Sequence, residues 1–292
     1  MVTEVKLKSA KIPTLMSTDR PPLFDFRASR RARARARVLA GDRFLERAAL
    51  EGLQERLGAV TRKFRKGLWI GDALDPAIVP FAEDWSCADF DIDEVISAKG
   101  PFDLAISLFS LQWINDLPGA LVQIRRQLAP DGLFLGALMG AGTLSELREA
   151  FGYAESQTLG GISPRVSPFA DVRDLGSLLQ RAGFALPVSD VERLVVRYGD
   201  FFVLARDLRA HGFSNVLSER CRRPLRRDTL MALLEHYTAR HAGRDGKLKV
   251  QFDTVYLTGW APHESQQQPL MPGSANVRLA QALGTEELPI KE

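Results

Sequence analysis

Cysteine is nearly absent: the 292 residues include two, Cys87 and Cys221, with no spacing that would form a metal or redox motif. That excludes a disulfide-stapled scaffold and points to a reducing compartment. Long apolar runs are missing as well. None approaches the roughly 18 residues of a membrane-spanning helix, and no secretory signal is visible. The four histidines, His211, His236, His241 and His263, lack H-E-x-x-H or similar spacing, so no metal is expected and each is assigned a structural or surface role. No pattern singles out a catalytic residue. What is present is ordinary globular composition, 45% apolar and 26% charged, in a chain long enough to bury a sizeable core.

Charge is unevenly spread. Residues 1–66 carry 17 Lys and Arg against seven acids, and the rest of the chain carries 22 against 29. The basic centre is Arg27-Ala-Ser-Arg-Arg-Ala-Arg-Ala-Arg-Ala-Arg37. Ala and Arg both favour helix, and on a helix these arginines fall on several faces with no single apolar stripe. Such a run is a solvated helix face or a site for an anionic partner. Aromatic interleaving is missing, which makes nucleic acid an unexpected partner.

From Leu68 the pattern alternates. Leu68–Ile70 and the nearly continuous apolar Phe102–Ser107 read as buried parallel strands. Asn115-Asp116 offers a helix cap with Pro118 in the first turn. Pro130-Asp-Gly132 is a turn before a strand at Leu133–Leu138. Thr143 with Glu146 reads as a capping box, and Asp171 to Ala182 as a helix stopped by Gly183. Strand patterns return at Val191–Tyr198 and Val250–Trp260, with mainly helical pattern between them. Alternation of this kind predicts an α/β sheet covered on both faces. Ligands of such sheets sit beyond the carboxyl ends of the strands, which places Gly71, Asp89 and Ser107-Leu108 on one rim.

Several strings resemble one family in order. Phe102-Asp-Leu-Ala-Ile-Ser-Leu-Phe-Ser-Leu-Gln-Trp-Ile-Asn-Asp-Leu-Pro118 and Pro130-Asp-Gly-Leu-Phe134 are similar to the fourth- and fifth-strand regions of class I S-adenosylmethionine-dependent methyltransferases. Gly142-Thr-Leu-Ser-Glu-Leu-Arg148, Gly160-Gly-Ile-Ser-Pro-Arg-Val-Ser-Pro-Phe169 and Gly259-Trp-Ala-Pro-His-Glu-Ser-Gln266 resemble the branch of complex I assembly factor 5 and its bacterial relatives. A more distant likeness is the malonyl-carrier methyltransferase of biotin synthesis. The resemblance implies a Rossmann-like α/β fold with its last strand antiparallel, preceded by a helical insertion, and S-adenosylmethionine at the rim. For the mitochondrial members it implies hydroxylation of an arginine on a respiratory complex I subunit. The expected acceptor is accordingly a protein arginine, as on such a subunit, or a small molecule. The expected location is the cytoplasm for a bacterial chain and the mitochondrial matrix for a eukaryotic one.

The expected organisation is a disordered tail over residues 1–22, basic helices over 23–66 and a methyltransferase-like domain over 67–262. A helical cover occupies 199–248, and a C-terminal tail over 263–292 packs on the domain and ends in disorder.

The first loop departs from the family. It reads Leu68-Trp-Ile-Gly-Asp-Ala-Leu-Asp75, where the family has approximately Leu-Asp-Leu-Gly-x-Gly-x-Gly. Gly71 matches the first glycine, while Ala73 and Asp75 replace the others. Only 18 residues separate Gly71 from Asp89, and 13 separate Asp89 from Phe102, too few for every crossover of a full first half. The sheet is therefore expected to be truncated there. Asp89 best matches the family acid near the adenine, and the acid that grips the ribose has no clear counterpart. Gly71-Asp72 is either an altered cofactor contact or a plain strand-to-turn signal. Asp89 is a cofactor contact or a solvated loop acid. Ser107 and Leu108 are expected to meet the cofactor through backbone. The family favours an enzyme, and the loop favours weak or lost cofactor binding. A non-catalytic assembly scaffold is the alternative.

Overall fold

The computed structural model describes residues 21–39, 41–71, 73–267, 277 and 279–285. Most of the N-terminal tail, Asp72 and the end of the C-terminal tail lie outside the described residues, and with them the disorder expected at both ends.

Six strands form one sheet in the order β2-β1-β3-β4-β6-β5. They are β1 (Phe64–Ile70), β2 (Ala82–Ala88), β3 (Phe102–Leu108), β4 (Leu128–Met139), β5 (Ala185–Tyr198) and β6 (Leu248–Trp260). β6 runs antiparallel to both of its neighbours, whereas the β1–β2, β1–β3 and β3–β4 pairs are parallel. The sheet is the expected one, short on the side of its first strand: two strands, not three, precede Phe102. Among the described residues the link from β1 to β2 contains only a 3-10 turn, Val79–Phe81. Pro80 within that turn cannot donate to an α-helical ladder.

Helices cover both faces. α1 (Phe26–Val38) and α2 (Phe44–Gly58) precede the sheet, α3 (Leu117–Gln127) links β3 to β4, and α4 (Ser145–Leu159) with α5 (Val172–Arg181) links β4 to β5. α6 (Phe201–Ala210) and α7 (Arg227–His241) fill the insertion between β5 and β6, and the short α8 (Leu279–Leu283) follows. The sheet thus carries two core layers. One joins Leu53, Trp69, Leu104, Ile106, Leu135 and Tyr256. The other joins Ile70, Ala105, Phe134, Leu175 and Leu179 on the opposite face. Burial on both faces explains why β3 reads as a continuous apolar run.

Three local expectations need correction. β1 starts at Phe64, inside the stretch assigned to N-terminal helices, because Phe64, Leu68 and Ile70 are all buried in the sheet. The capping box at Thr143 does not form. Thr143 Oγ1 instead donates to the Asp253 carbonyl (3.1 Å) and accepts from the Asp253 N–H (3.0 Å), and Glu146 accepts from the Gln251 N–H. These side chains satisfy backbone groups of β6, which the helix start at Ser145 leaves free to do so. Finally, α1 does have a stripe. Ala28, Ala32 and Ala36 are buried at four-residue spacing, a helix face built from methyl groups. Ala28 and Ala32 join Phe24, Trp113, Val216 and Leu217 in a third cluster. Asp25 caps the helix through the Ala28 N–H (2.9 Å) and holds Arg220 (3.0 Å), tying α1 to the loop beyond α6.

Candidate functional site

A cavity of about 370 Å³ opens above the carboxyl ends of β1 and β3, within the range of small-ligand sites. Its floor is the sheet rim: Trp69, Gly71, Leu108, Phe109 and Ser110. Gly71 has φ +152°, a backbone state that side chains avoid. A Cβ there would stand 3.1 Å from Ser110 Oγ and 3.2 Å from Trp69 Nε1. The Gly71 N–H donates to the Ala88 carbonyl (2.9 Å), and Ser110 Oγ donates to the Ile70 carbonyl (3.0 Å). Phe109 is held at φ +52° beside it, with its N–H on the Ala137 carbonyl. Strained backbone of this kind collects at ligand sites. Ala73, Leu74, Asp75 and Pro76 form one wall.

The roof comes from elsewhere in the chain. Arg33, Ala36 and Arg37 reach down from α1, and His211, Gly212 and Phe213 form the turn that ends α6. The turn packs directly on α1: a Cβ on Gly212 would lie 3.6 Å from the Ala36 methyl. Arg43 and Glu46, at the start of α2, and Trp113 also line the cavity. Arg43 binds Glu46 Oε1 through Nη2 (2.8 Å) and Nε (3.2 Å). Glu46 Oε2 meets His211 Nδ1 at 2.5 Å. Burial pushes the Glu46 carboxyl up, but the hydrogen bond and charge of His211 and the Arg43 guanidinium outweigh it, leaving the group below the usual carboxylate range. Phe44 packs edge-on to the His211 ring at 5.0 Å, and Phe213 stacks on it at 5.9 Å.

The residues singled out in the sequence are distributed unevenly. Gly71 and Leu108 line the cavity. Ser107 is fully buried, but its side chain follows Ala105 onto the other core layer, as strand alternation requires, so only its backbone belongs to the rim. Asp72 lies outside the described residues. Asp89 stands directly after β2, the strand beside β1. Its carboxylate accepts from Arg33 Nη1 (3.1 Å), with Arg30 at 3.7 Å. It is not a solvated loop acid, and a cofactor hydroxyl would have to share it with Arg33. Of the four histidines, each assigned a structural or surface role, His211 is 95% buried and paired with Glu46 beside the cavity. Among the described residues no cluster of three or more His, Cys, Asp or Glu side chains is placed to hold a metal, and no helix is long and apolar enough to cross a membrane.

The residues present suit S-adenosylmethionine in part. The side-chain-free position at Gly71 lets a ligand approach the β1 backbone, and the cavity volume is adequate. The acid nearest the rim is already paired. The mixed sheet, with a cavity at the carboxyl rim of its parallel strands β1 and β3, defines an α/β protein, and the sequence comparisons narrow the class. A family model described as a methyltransferase domain matches residues 28–187, and the chain belongs to that family. S-adenosylmethionine is the cofactor to which this membership points. Over 182 residues the chain is 43% identical to an arginine-hydroxylase NDUFAF5, mitochondrial, of Danio rerio, covering 62% of this chain and 56% of that protein. The human protein of the same name is 44% identical over 61% of this chain and 52% of its own length. A malonyl-[acyl-carrier protein] O-methyltransferase of Laribacter hongkongensis is 36% identical over 60% and 56%. The chain thus spans about half the length of the curated relatives it matches. Among solved structures, the YcgJ protein of Bacillus subtilis is similar with a TM-score of 0.48 and 13% identity, over 74% of this chain and 99% of that one.

Proposed function

We propose that this protein is an S-adenosylmethionine-dependent methyltransferase whose acceptor, a protein arginine or a small molecule, enters the cavity between the sheet rim and the α1–α6 roof. The observation that carries this reading is Gly71 at φ +152°, opening onto that cavity at the end of β1. Bound there, the cofactor supplies an activated methyl group. The chain's own residues need only bind, align and exclude water, since proximity and orientation account for much of such a reaction. Gly71 and the backbone of Leu108 form the donor side, and the roof turn at His211 forms the acceptor side. A protein acceptor such as a respiratory complex I subunit agrees with the names of the NDUFAF5 relatives. It also agrees with the basic face of α1, where Arg31 and Arg35 are exposed.

The second reading, an assembly scaffold without turnover, is favoured by one observation. Asp89 is held by Arg33 and Arg30. A charge-assisted hydrogen bond contributes about 1.5–3 kcal/mol, and each 1.4 kcal/mol is tenfold in affinity. Losing such a bond moves a 1 µM site to roughly 10–150 µM, and the side chains that replace two glycines of the loop, at Ala73 and Asp75, weaken it further. Calorimetry with S-adenosylmethionine is expected to give a dissociation constant above about 100 µM. A low-micromolar constant would contradict the expected weakness. No heat at millimolar ligand would favour the scaffold.

A further inference from the structure

Trp69 stands where the family's first loop has its acid, and it lines the floor of the cavity one residue before the end of β1. An ionised acid can only accept hydrogen bonds, and an indole can only donate. The polarity of this position is therefore reversed. The edge of the ring is directed at Gly71: the point a Cβ would take there lies 3.2 Å from Trp69 Nε1 and 3.1 Å from Ser110 Oγ. That point is too close to the Gly71 Cα for a ligand atom, but an atom resting on the glycine beyond it is bordered by both groups. Gly71 keeps the gap open, since its φ of +152° disfavours any side chain.

The two borders differ in chemistry. The Ser110 hydroxyl has a single hydrogen, which it donates to the Ile70 carbonyl (3.0 Å), with the Leu108 carbonyl at 3.4 Å. Its lone pairs are left to accept. Trp85 Nε1 donates to the Val79 carbonyl (3.1 Å), but for Trp69 Nε1 the described residues supply no acceptor. Nor is Nε1 among the described polar atoms enclosed without a partner, so it opens to the cavity that the ring lines. A group that satisfies both borders must accept from an indole N–H and donate to a hydroxyl oxygen. An ammonium can only donate and a carboxylate can only accept, whereas a hydroxyl does both.

We infer that Trp69 and Ser110 form a hydroxyl-reading pair over Gly71, and that the group it takes is a ribose hydroxyl of the cofactor. S-adenosylmethionine carries no hydroxyl outside its ribose. The inference rests on the methyltransferase reading above and names the atoms that hold its donor. Asp89, whose carboxylate is held by Arg33, is not needed for this contact. The bonds of the pair join neutral groups and are about half as strong as bonds to a carboxylate, in keeping with a weak cofactor site. Trp69 binds and orients, and takes no part in methyl transfer.

Proton–nitrogen NMR of the whole protein reads the pair directly. The chain has four tryptophans, and the Trp69 indole signal is the one lost in Trp69→Phe. Should that variant not fold, a nuclear Overhauser contact to Gly71 identifies the signal in wild type. S-adenosylhomocysteine and its 2′-deoxy and 3′-deoxy analogues are the probes, each at a concentration that moves the Leu108 amide equally. S-adenosylhomocysteine is expected to shift the Trp69 indole N–H, and at least one deoxy analogue to leave it unmoved. Trp69→Phe is expected to weaken S-adenosylhomocysteine about fivefold, the equivalent of one neutral hydrogen bond, and to leave the affinity of that deoxy analogue unchanged. An indole signal that all three ligands shift alike, or that S-adenosylhomocysteine leaves in place while moving the Leu108 amide, overturns the pair and leaves the methyltransferase reading standing. Equal weakening of both ligands by Trp69→Phe makes the ring a structural part of the floor and also overturns it. If no ligand moves the Leu108 amide, the methyltransferase reading fails and the pair falls with it.

Discussion

Replacing Glu155 with alanine is expected to cost about 3–5 kcal/mol of stability, the usual consequence of breaking a buried charge pair by removing one partner. Glu155 lies on α4 with a fully buried side chain. Its oxygens accept from the Ser163 N–H (2.6 Å), the Ser163 hydroxyl (2.7 Å) and Arg165 Nε (2.7 Å). One carboxylate therefore organises the loop after α4, and its loss strands both a backbone donor and the Arg165 guanidinium. For a protein of this size the melting temperature should fall by roughly 10 °C. Acid should act through the same group. Burial pushes the Glu155 carboxyl up, but the Ser163 hydrogen bonds and Arg165 outweigh it and hold the group below the usual range. With the folded value depressed, its contribution is complete above the ordinary glutamate range and disappears as pH falls through the folded value. Glu155→Gln should accordingly show a shallower loss of stability on acidification than wild type in urea titrations at descending pH. A Glu155→Ala cost below about 1 kcal/mol, the level of an exposed pair, would show that water reaches the pair.

The elements legible in the sequence are those whose burial leaves a pattern. β3 and β4 are apolar on both faces, and α3 and α5 carry their own stop and start signals: Asp116 accepts from the Gly119 N–H, Asp171 from the Arg173 N–H, and Gly183 takes φ +83°. β2 left no such mark. Glu83, Asp84, Ser86 and Cys87 are exposed along it, as suits an edge strand that avoids further pairing. It is a strand because β1 offers it a parallel register from Phe64↔Ala82 to Ile70↔Ala88. The stripe on α1 was hidden for a related reason. Alanine carries little hydrophobic signal, and the arginines between the alanines dominate the composition.

The candidate site divides along the same line. Gly71 and Leu108 were visible because a strand ending in glycine, and a strand of family-like sequence, are local facts. Glu46 and His211 stand 165 positions apart, so no spacing connects them. Each alone reads as a helix-terminal polar residue. The one trace is position: Glu46 falls in a first turn and His211 just before Gly212, whose φ of +76° turns the chain back over the rim. The fate of Asp89 was equally out of reach, since it depends on α1 lying close enough for Arg33 to touch it.

Phe134→Ala is expected to cost about 3–5 kcal/mol while leaving the cavity unaltered in the molecules that stay folded. Phe134 sits in the middle of β4 with no exposure and stacks on Phe184 at a centroid distance of 5.5 Å. Two residues on, along the same face, Gly136 has no side chain to fill the space; its Cβ would lie 2.9 Å from Phe134 Cζ. A truncated ring therefore leaves a void that its strand neighbour cannot occupy, and voids of this kind raise the cost of a deletion. The ring belongs to the core layer on the face away from Trp69 and Phe109, which line the cavity. Changes at sites without shared partners add within about 0.3–0.5 kcal/mol, so ligand response at the rim should match wild type. Gly71→Val should behave in the opposite way. A β-branched residue at that φ is strained by about 1–3 kcal/mol, a smaller loss of stability, but its side chain stands where a ligand must approach the β1 backbone. Urea denaturation measures the first quantity, and the shift of the Leu108 amide with S-adenosylmethionine measures the second. If Phe134→Ala abolishes that shift in folded protein, or Gly71→Val preserves it, the donor side has been placed on the wrong part of the sheet.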